Sequence, residues 1–304
     1  MTDRRDFRPR SYPAGLAWPN GARLAVSVVV NVEEGAELSI GDGDERNESV
    51  YEAVEEVVGH PDPCMETHFA YGTRVGWGRI REALRQRGIV ATMNANGRAI
   101  ERSPWLAKDA VADGHEMSCH GWRWERHAGM AQDHEWAVIA RAVAAIAQAC
   151  GERPVGWHTR SATSVNTRRL LVEEGGFLYD SNAFDDDTPY VEDVADRAHV
   201  VLPYAFDTND MRFQRQGGFT FGDDFARYCS DAFDRLYAEG ESVPRMLSVG
   251  LHLRIIGRPA RIGGLERFLD HALAREGVWF ARRDEIARAW RAMTGLPAWS
   301  PVTG

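Results

Sequence analysis

The sequence predicts an α/β fold, a single distorted (β/α) barrel with helices packed around parallel strands. Two observations carry this prediction. Segments with the apolar pattern of buried strands alternate with segments of helical periodicity, and no linker or low-complexity stretch interrupts them. Charged or imidazole side chains follow several of the predicted strands, at the end where barrel enzymes assemble their active sites.

The first strand is the clearest predicted element. Residues 23–31 form a β-branched run typical of a strand buried on both faces. Further strands are predicted at residues 89–93, 115–119, 154–157, 177–180, 199–203, 245–251 and 277–280. Helices are predicted at residues 77–86, 105–113, 134–151, 166–175, 221–239, 264–275 and 283–293. Residues 1–20 lack periodicity and are rich in Arg and Pro, so we expect an extended N-terminal arm on one domain of residues 21–304.

Composition argues against several classes of protein. The chain has 304 residues and a formal net charge of -9, whereas nucleic-acid binding requires a clustered basic surface. No apolar run approaches the roughly 20 residues that cross a bilayer, and the charged N-terminus lacks the pattern of a signal peptide. The four cysteines show no C-x-x-C spacing. We therefore expect a cytoplasmic protein with reduced thiols and a small-molecule substrate.

Candidate catalytic residues lie at the predicted carboxyl ends of strands. Glu33 and Glu34 are adjacent carboxylates after an apolar strand, and their mutual repulsion and burial would raise a pKa, which suits a general base. His252 follows another apolar strand and is a candidate general acid. Asp180 also ends a predicted strand, although a single carboxylate there is often a helix cap. Adjacent side chains at a strand end point to opposite sides, so either Glu33 or Glu34 could be the base.

Residues 111–124 suggest a metal site with a ligand missing. His120 lies in a Gly-marked turn, and Trp124 stands four residues later, where an H-x-x-x-H pair would have its second histidine. An indole has no lone pair available for a metal. This pattern predicts hydrolytic chemistry with altered or absent metal dependence. The chain contains no G-x-S-x-G elbow, Walker loop or dinucleotide-binding glycine pattern.

Several segments, in the same order, resemble the polysaccharide-deacetylase-like hydrolases, and among them the bacterial cofactor-independent allantoinases. The matching segments are residues 31–37, 71–76, 120–124, 173–181, 207–213 and 257–261. The resemblance implies the distorted barrel of the polysaccharide deacetylase type. It also implies a homo-oligomer, with a tetramer as in the allantoinases. The arm contains Tyr12, Leu16 and Trp18, and we expect these apolar groups to be buried by packing on a neighbouring subunit.

The resemblance also assigns positions in the site. Glu33 replaces the metal-binding Asp of the deacetylases, His120 is the first histidine, and Trp124 replaces the second. Asn31 stands where the deacetylases place their catalytic-base Asp. The implied metal ligands are thus only Glu33 and His120, and we expect no required cofactor, with zinc or another divalent metal as the alternative. The candidates to complete a rearranged metal site are His115, Glu125 and His127.

One segment departs from the allantoinase pattern. Within residues 156–167, His158 replaces an aromatic residue, and the arginine is displaced by one position to Arg160. If this loop holds a ureido or carbonyl group, the substrate differs from allantoin. The residues expected to bind substrate are Trp122, Trp124, His158, Arg160 and Asp180.

The sequence thus predicts a hydrolase of non-peptide carbon–nitrogen bonds that opens a cyclic amide such as allantoin, a hydantoin or an imide. One alternative is a metal-dependent N-deacetylase of amino sugars or peptidoglycan. Another is a catalytically inactive barrel that binds a small molecule.

Overall fold

A curved sheet forms the centre of the molecule in a computed structural model, which describes residues 7–50, 53, 55–160 and 162–301. Within these ranges the sheet has nine strands in the order β6-β7-β5-β4-β3-β2-β1-β8, and β9 pairs with β1. All pairs are parallel except β6 with β7. The strands are β1 (Leu24–Val32), β2 (Thr92–Ala95), β3 (Glu116–Cys119), β4 (Gly156–Trp157), β5 (Tyr179–Asp180), β6 (Tyr190–Val194), β7 (Arg197–Val201), β8 (Arg245–His252) and β9 (Val278–Phe280).

Strand β1 is buried along all nine of its residues and pairs with three other strands. One edge pairs with β8 along nearly its whole length. The other edge pairs first with β9 and then with β2. In this register Asn31 lies beside both His252 of β8 and Asn94 of β2. The carboxyl ends of three strands therefore meet at one place, and the chain that follows each of them contributes to the same site.

Ten helices surround the sheet in the part of the chain that the structure describes. They are α1 (Pro63–Tyr71), α2 (Trp77–Arg85), α3 (Gly97–Arg102), α4 (Pro104–Ala112), α5 (Gln132–Cys150), α6 (Thr167–Glu174), α7 (Gly222–Glu239), α8 (Leu253–Ile256), α9 (Pro259–Leu273) and α10 (Arg283–Met293). Helices α7 and α9 approach closely at Gly222 and Gly264, where a Cβ on Gly264 would lie 2.2 Å from the Gly222 carbonyl oxygen. Over the described ranges, no helix is both long and apolar enough to cross a membrane.

The barrel wall between the β6–β7 hairpin and β8 is completed by irregular chain. The Met246 amide donates to the Asp187 carbonyl at 2.8 Å, and the Gly250 amide donates to the Thr208 carbonyl at 3.0 Å. Asn209 forms an isolated parallel bridge with Gly250. This closure confirms the distorted barrel predicted from the sequence. It also holds the segment after Thr208 against the carboxyl end of β8.

The predicted strands and helices are present, with shifted ends and some additions. Residues 89–93 were predicted as a strand, but β2 begins at Thr92. Helix α9 begins at Pro259, five residues before the predicted start, because proline is well suited to the first turn of a helix. Helices α1, α3 and α8 and strand β6 were not predicted. The β6–β7 turn has positive φ at Ala195 and Asp196, so it lacks the glycine that usually marks such a hairpin.

The N-terminal arm packs on its own barrel. Trp18 is 1% exposed, its indole donates to the Arg245 carbonyl at 2.8 Å, and its ring lies 5.8 Å from that of Trp290. Tyr12 contacts Trp290 edge to face and donates to Asp186 at 2.6 Å. These apolar groups therefore have a core of their own chain to join, and a neighbouring subunit is not needed to bury them. The homo-oligomer itself stays a prediction, and residues 1–6 lie outside the described ranges.

Candidate active site

A pocket of about 270 Å³ opens at the carboxyl ends of β1 and β8. Its inner end combines the Glu33 carboxylate with imidazole and guanidinium groups. The rest of its lining includes the apolar Val50, Phe206 and Met211 and a second carboxylate, Glu48. The charged and imidazole side chains at the inner end are Glu33, His120, His158, Arg160, His252 and Arg254. Four of the five cationic or imidazole groups in this set approach the single carboxylate of Glu33.

Glu33 is the centre of this arrangement. It is 3% exposed, and Nη1 of Arg254 donates to its Oε2 at 2.9 Å. His120 Nε2 and Arg160 Nε lie 3.5 and 3.6 Å from Oε1, and His252 Nε2 lies 3.8 Å from Oε2. Burial opposes ionisation of Glu33, but the charges of His252 and Arg254 outweigh it and hold the pKa well below its usual range. Glu33 is therefore a carboxylate at neutral pH.

His252 is held in place by a buried carboxylate. Its Nδ1 lies 2.6 Å from Oδ1 of Asp210, and its backbone amide donates to Oδ2 of Asp210 at 2.7 Å. Burial lowers the pKa of His252, but the charges of Asp210 and Glu33 outweigh this effect and the net pKa is raised. Since Nδ1 donates to Asp210, Nε2 faces Glu33. His252 is thus positioned as a protonated acid.

Asp210 was not predicted as a site residue. It is fully buried and also accepts a hydrogen bond from the backbone amide of Ile256 at 3.0 Å. It follows no predicted strand, and only the irregular closure of the barrel brings it to β8. Its one sequence signal is its place in residues 207–213, which match a family segment.

His120 and His158 are neutral, and each presents Nε2 as a hydrogen-bond acceptor. His120 Nδ1 lies 2.6 Å from the His158 carbonyl oxygen, and His158 Nδ1 lies 2.8 Å from the Ser181 carbonyl oxygen. A carbonyl can only accept, so each Nδ1 carries the hydrogen and each Nε2 presents a lone pair. Burial lowers the pKa of both rings, and it lowers that of His158 to about 3.

Arg160 presents its guanidinium to the pocket while stacking on Trp124. The guanidinium carbon lies 3.5 Å from the centre of the indole ring. Its distance of 3.6 Å to Glu33 is longer than a hydrogen bond. The guanidinium thus forms an ion pair with Glu33 and lines the pocket. Its N–H groups are therefore placed to bind a substrate oxygen.

Glu34 lies on the far side of Glu33 and does not line the pocket. Its Oε1 accepts from the backbone amide of Arg254 at 3.1 Å, and its Oε2 accepts from the Glu33 amide at 3.2 Å. A Cβ on Gly72 would lie 2.4 Å from Oε1, so the glycine leaves room for this carboxylate. Burial raises the pKa of Glu34. Arg254, which was not among the predicted site residues, connects the two carboxylates.

Trp122 and Asp180 lie outside the pocket. The Trp122 ring packs beneath Arg141 of α5, with the guanidinium carbon 3.5 Å from the ring centre. Asp180 is fully buried and pairs with Arg168 at 2.8 Å and with His199 at 3.0 Å. It also accepts from the Asn182 amide at 2.9 Å, which caps the turn that follows β5. We therefore leave both residues out of the proposed site.

The donor set does not fit a catalytic zinc, which needs three protein ligands. Trp124 stands at the position of the second histidine, and two guanidinium groups already surround Glu33. His115 Nδ1 accepts from the Ala91 amide, and His127 pairs with Glu135 at 3.0 Å. Across residues 7–50, 53, 55–160 and 162–301, no three or more His, Cys, Asp and Glu side chains are grouped to hold a metal ion.

Comparisons with known proteins give one consistent family. The polysaccharide deacetylase family model matches residues 58–178. A Schizosaccharomyces pombe protein assigned to the polysaccharide deacetylases is 36% identical over 301 residues, covering 90% of this chain and 92% of its own length. A solved structure of a probable polysaccharide deacetylase from Pseudomonas aeruginosa is 44% identical, with a TM-score of 0.86 and coverage of 90% of this chain and 93% of that chain.

The structure of a PuuE allantoinase is similarly related. It is 43% identical, with a TM-score of 0.86 over 93% of this chain and 98% of that chain. The family resemblance predicted from the sequence is thus confirmed. The chain belongs to the polysaccharide deacetylase family of hydrolases.

Proposed function

We propose that this protein hydrolyses a carbon–nitrogen bond of a cyclic amide, with allantoin, a hydantoin or an imide as substrate. The observation that carries the proposal is the pairing of the buried Glu33 carboxylate with the His252–Asp210 pair in a pocket whose donor set does not fit a metal. The similarity to the PuuE allantoinase along nearly the whole chain supports the same class of substrate.

The polar groups of the pocket complement a cyclic amide. Such a ring presents a carbonyl oxygen beside an N–H group. Arg160 offers hydrogen-bond donors for the oxygen, and the Nε2 lone pair of His158 offers an acceptor for the N–H. A volume of about 270 Å³ suits a compact heterocycle. We therefore assign Arg160 and His158 to substrate binding, with Trp124 as the platform that holds Arg160.

The proposed reaction begins with a water in the pocket that donates hydrogen bonds to both Glu33 Oε1 and His120 Nε2, two atoms that lie 3.5 Å apart. The water oxygen attacks the ring carbonyl carbon, and Glu33 takes its proton as the new carbon–oxygen bond forms. The low pKa of Glu33 makes it a weak base, so it takes the proton only as the attack proceeds. Arg160 stabilises the negative charge that develops on the carbonyl oxygen.

His252 completes the reaction. It donates its Nε2 proton to the ring nitrogen as the carbon–nitrogen bond breaks, which leaves a carboxyl group and an N–H group on the opened product. The proton on Glu33 then passes to His252 across the 3.8 Å that separates them. The catalyst returns to its starting state, and one water has been consumed.

A second candidate is an N-deacetylase, since a Helicobacter pylori peptidoglycan deacetylase is 26% identical over 258 residues, covering 75% of this chain and 87% of that protein. The indole of Trp124 and the two guanidinium groups around Glu33 count against the metal that the deacetylase pattern requires. A third reading, a catalytically inactive binding barrel, is disfavoured because Glu33 and the His252–Asp210 pair are retained.

Steady-state kinetics on purified protein distinguishes these functions. We expect turnover of allantoin, hydantoin or succinimide, and no acetate release from chitooligosaccharides. A Glu33→Gln variant purified in parallel controls for contaminating hydrolases. Turnover of none of the three cyclic compounds would contradict the proposal, and binding of one of them without turnover would favour the inactive barrel.

A further inference from the structure

We infer that the preferred substrate carries an apolar, preferably aromatic, substituent on its ring, and that Phe184 and Phe206 bind it at the pocket mouth. This inference rests on the proposed function and narrows its substrate class. The two phenylalanine rings stack with centres 4.0 Å apart and planes 9° apart. Phe184 is 47% exposed and Phe206 is 55% exposed, although a stacked aromatic pair usually lies in a core.

The pair is continuous with the inner end of the pocket. Phe206 lines the pocket directly. Phe184 contacts the edges of Tyr204 and His158, in each case with ring centres 6.3 Å apart. Tyr204 and His158 in turn lie 4.4 Å apart. A series of aromatic rings therefore leads from the His158 imidazole to the solvent.

The chemistry of the two ends differs. The inner end is charged and suits the ring of a cyclic amide. The outer part presents Phe206, Val50 and Met211, and the polar Glu48, Ser49 and Gln214 also line the pocket. Covering exposed aromatic surface with an apolar group is favourable, and stacking adds to that gain. A polar ureido substituent, as in allantoin, keeps its own hydration and gains less from this surface. An aryl substituent of the substrate that packs on Phe184 and Phe206 is expected to raise kcat/KM by about ten-fold over the unsubstituted ring.

The test compares kcat/KM for hydantoin, allantoin and benzylhydantoin in the wild-type protein and in Phe206→Ala, Phe206→Leu and Phe184→Ala variants. A Phe221→Ala variant is the matched control, because Phe221 is 70% exposed and lies before α7, outside the set of residues that line the pocket. We expect a benzylhydantoin to hydantoin ratio of about ten in the wild type and the control. The ratio should fall toward one in Phe206→Ala and to an intermediate value in Phe206→Leu and Phe184→Ala.

Equal kcat/KM for hydantoin and benzylhydantoin in the wild type would overturn the inference alone. A preference for benzylhydantoin that survives in Phe206→Ala would overturn it as well. Concentration-dependent association of the wild type that Phe206→Ala abolishes would also overturn it, because the pair would then belong to an interface between copies of the chain. Turnover of none of the three compounds would instead contradict the proposed function, and the inference with it.

Discussion

Replacing Glu33 with Gln and, separately, Glu34 with Gln tests which of the two adjacent carboxylates acts in catalysis. Each change keeps the shape of the side chain and removes its charge. Glu33 lines the pocket within 3.8 Å of His252, whereas Glu34 accepts hydrogen bonds from the backbone amides of Glu33 and Arg254 behind it. The two variants should therefore differ in activity although the residues are neighbours in the chain.

The expected magnitudes follow from these contacts. Loss of a general base lowers turnover by about 10²–10⁴-fold, which corresponds to about 3–5 kcal/mol of activation free energy. Removing one partner of a buried ion pair costs about 3–5 kcal/mol of stability. Glu34 stays 3.4 Å from Nη1 of Arg254, so we expect Glu33→Gln to be at the lower end of that range. In Glu34→Gln the amide oxygen can accept from only one of the two backbone amides that Glu34 binds, so stability falls. Turnover of the folded fraction should stay within about ten-fold of the wild type, because Glu34 does not line the pocket.

The assay measures kcat/KM on the folded fraction together with the free energy of unfolding in urea, so that lost stability is not mistaken for lost catalysis. Turnover of Glu33→Gln within a few-fold of the wild type would refute the assignment of the base. An equal loss in both variants would refute the separation of the two carboxylates that the structure shows.

Four further predictions concern His252, the dependence on a metal, Arg160 and the N-terminal arm. Asp210→Asn removes the anion that raises the pKa of His252, so His252 loses its proton at lower pH. The alkaline limb of the profile of kcat against pH should therefore move to lower pH, and an unmoved limb would contradict the role of His252 as the acid. Dialysis against a chelator should leave kcat within about two-fold, and a loss that added zinc restores would contradict the proposed metal independence. Arg160→Ala should lower kcat by about 10²–10³-fold, and full activity in this variant removes Arg160 from the mechanism. Arg160→Lys should recover little of the loss because an ammonium lacks the planar fork that stacks on Trp124, and full recovery would contradict the need for that fork. Trp18→Ala should reduce the free energy of unfolding by about 3–5 kcal/mol, and a reduction below about 1 kcal/mol would show that the arm does not pack as described.

The residues that the sequence predicted best follow long buried strands. The β-branched run of β1 and the apolar run of β8 mark both strands, and parallel pairing brings the groups after them together. Glu33 and His252 could therefore be predicted from local patterns alone. His120 follows β3 by the same rule, and the structure places all three in one pocket.

The rest of the site depends on information that local patterns do not contain. Asp210 and Arg254 reach Glu33 and His252 through the irregular closure of the barrel and the short helix α8, neither of which the sequence indicates. Asp180 ends a strand as predicted, yet its side chain turns toward Arg168 and His199. Position at a strand end predicts the neighbourhood of a residue but not the direction of its side chain.

Product analysis in water enriched in heavy oxygen tests most directly whether Glu33 directs water to open a cyclic amide. We predict that the wild-type protein gives one ring-opened product, heavier than the substrate by one labelled water with the label in its new carboxyl group. We also predict that Glu33→Gln forms this product at least about 100-fold more slowly. Two separate products with labelled acetate from an acetylated sugar, or an unlabelled ring-opened product, would contradict the account.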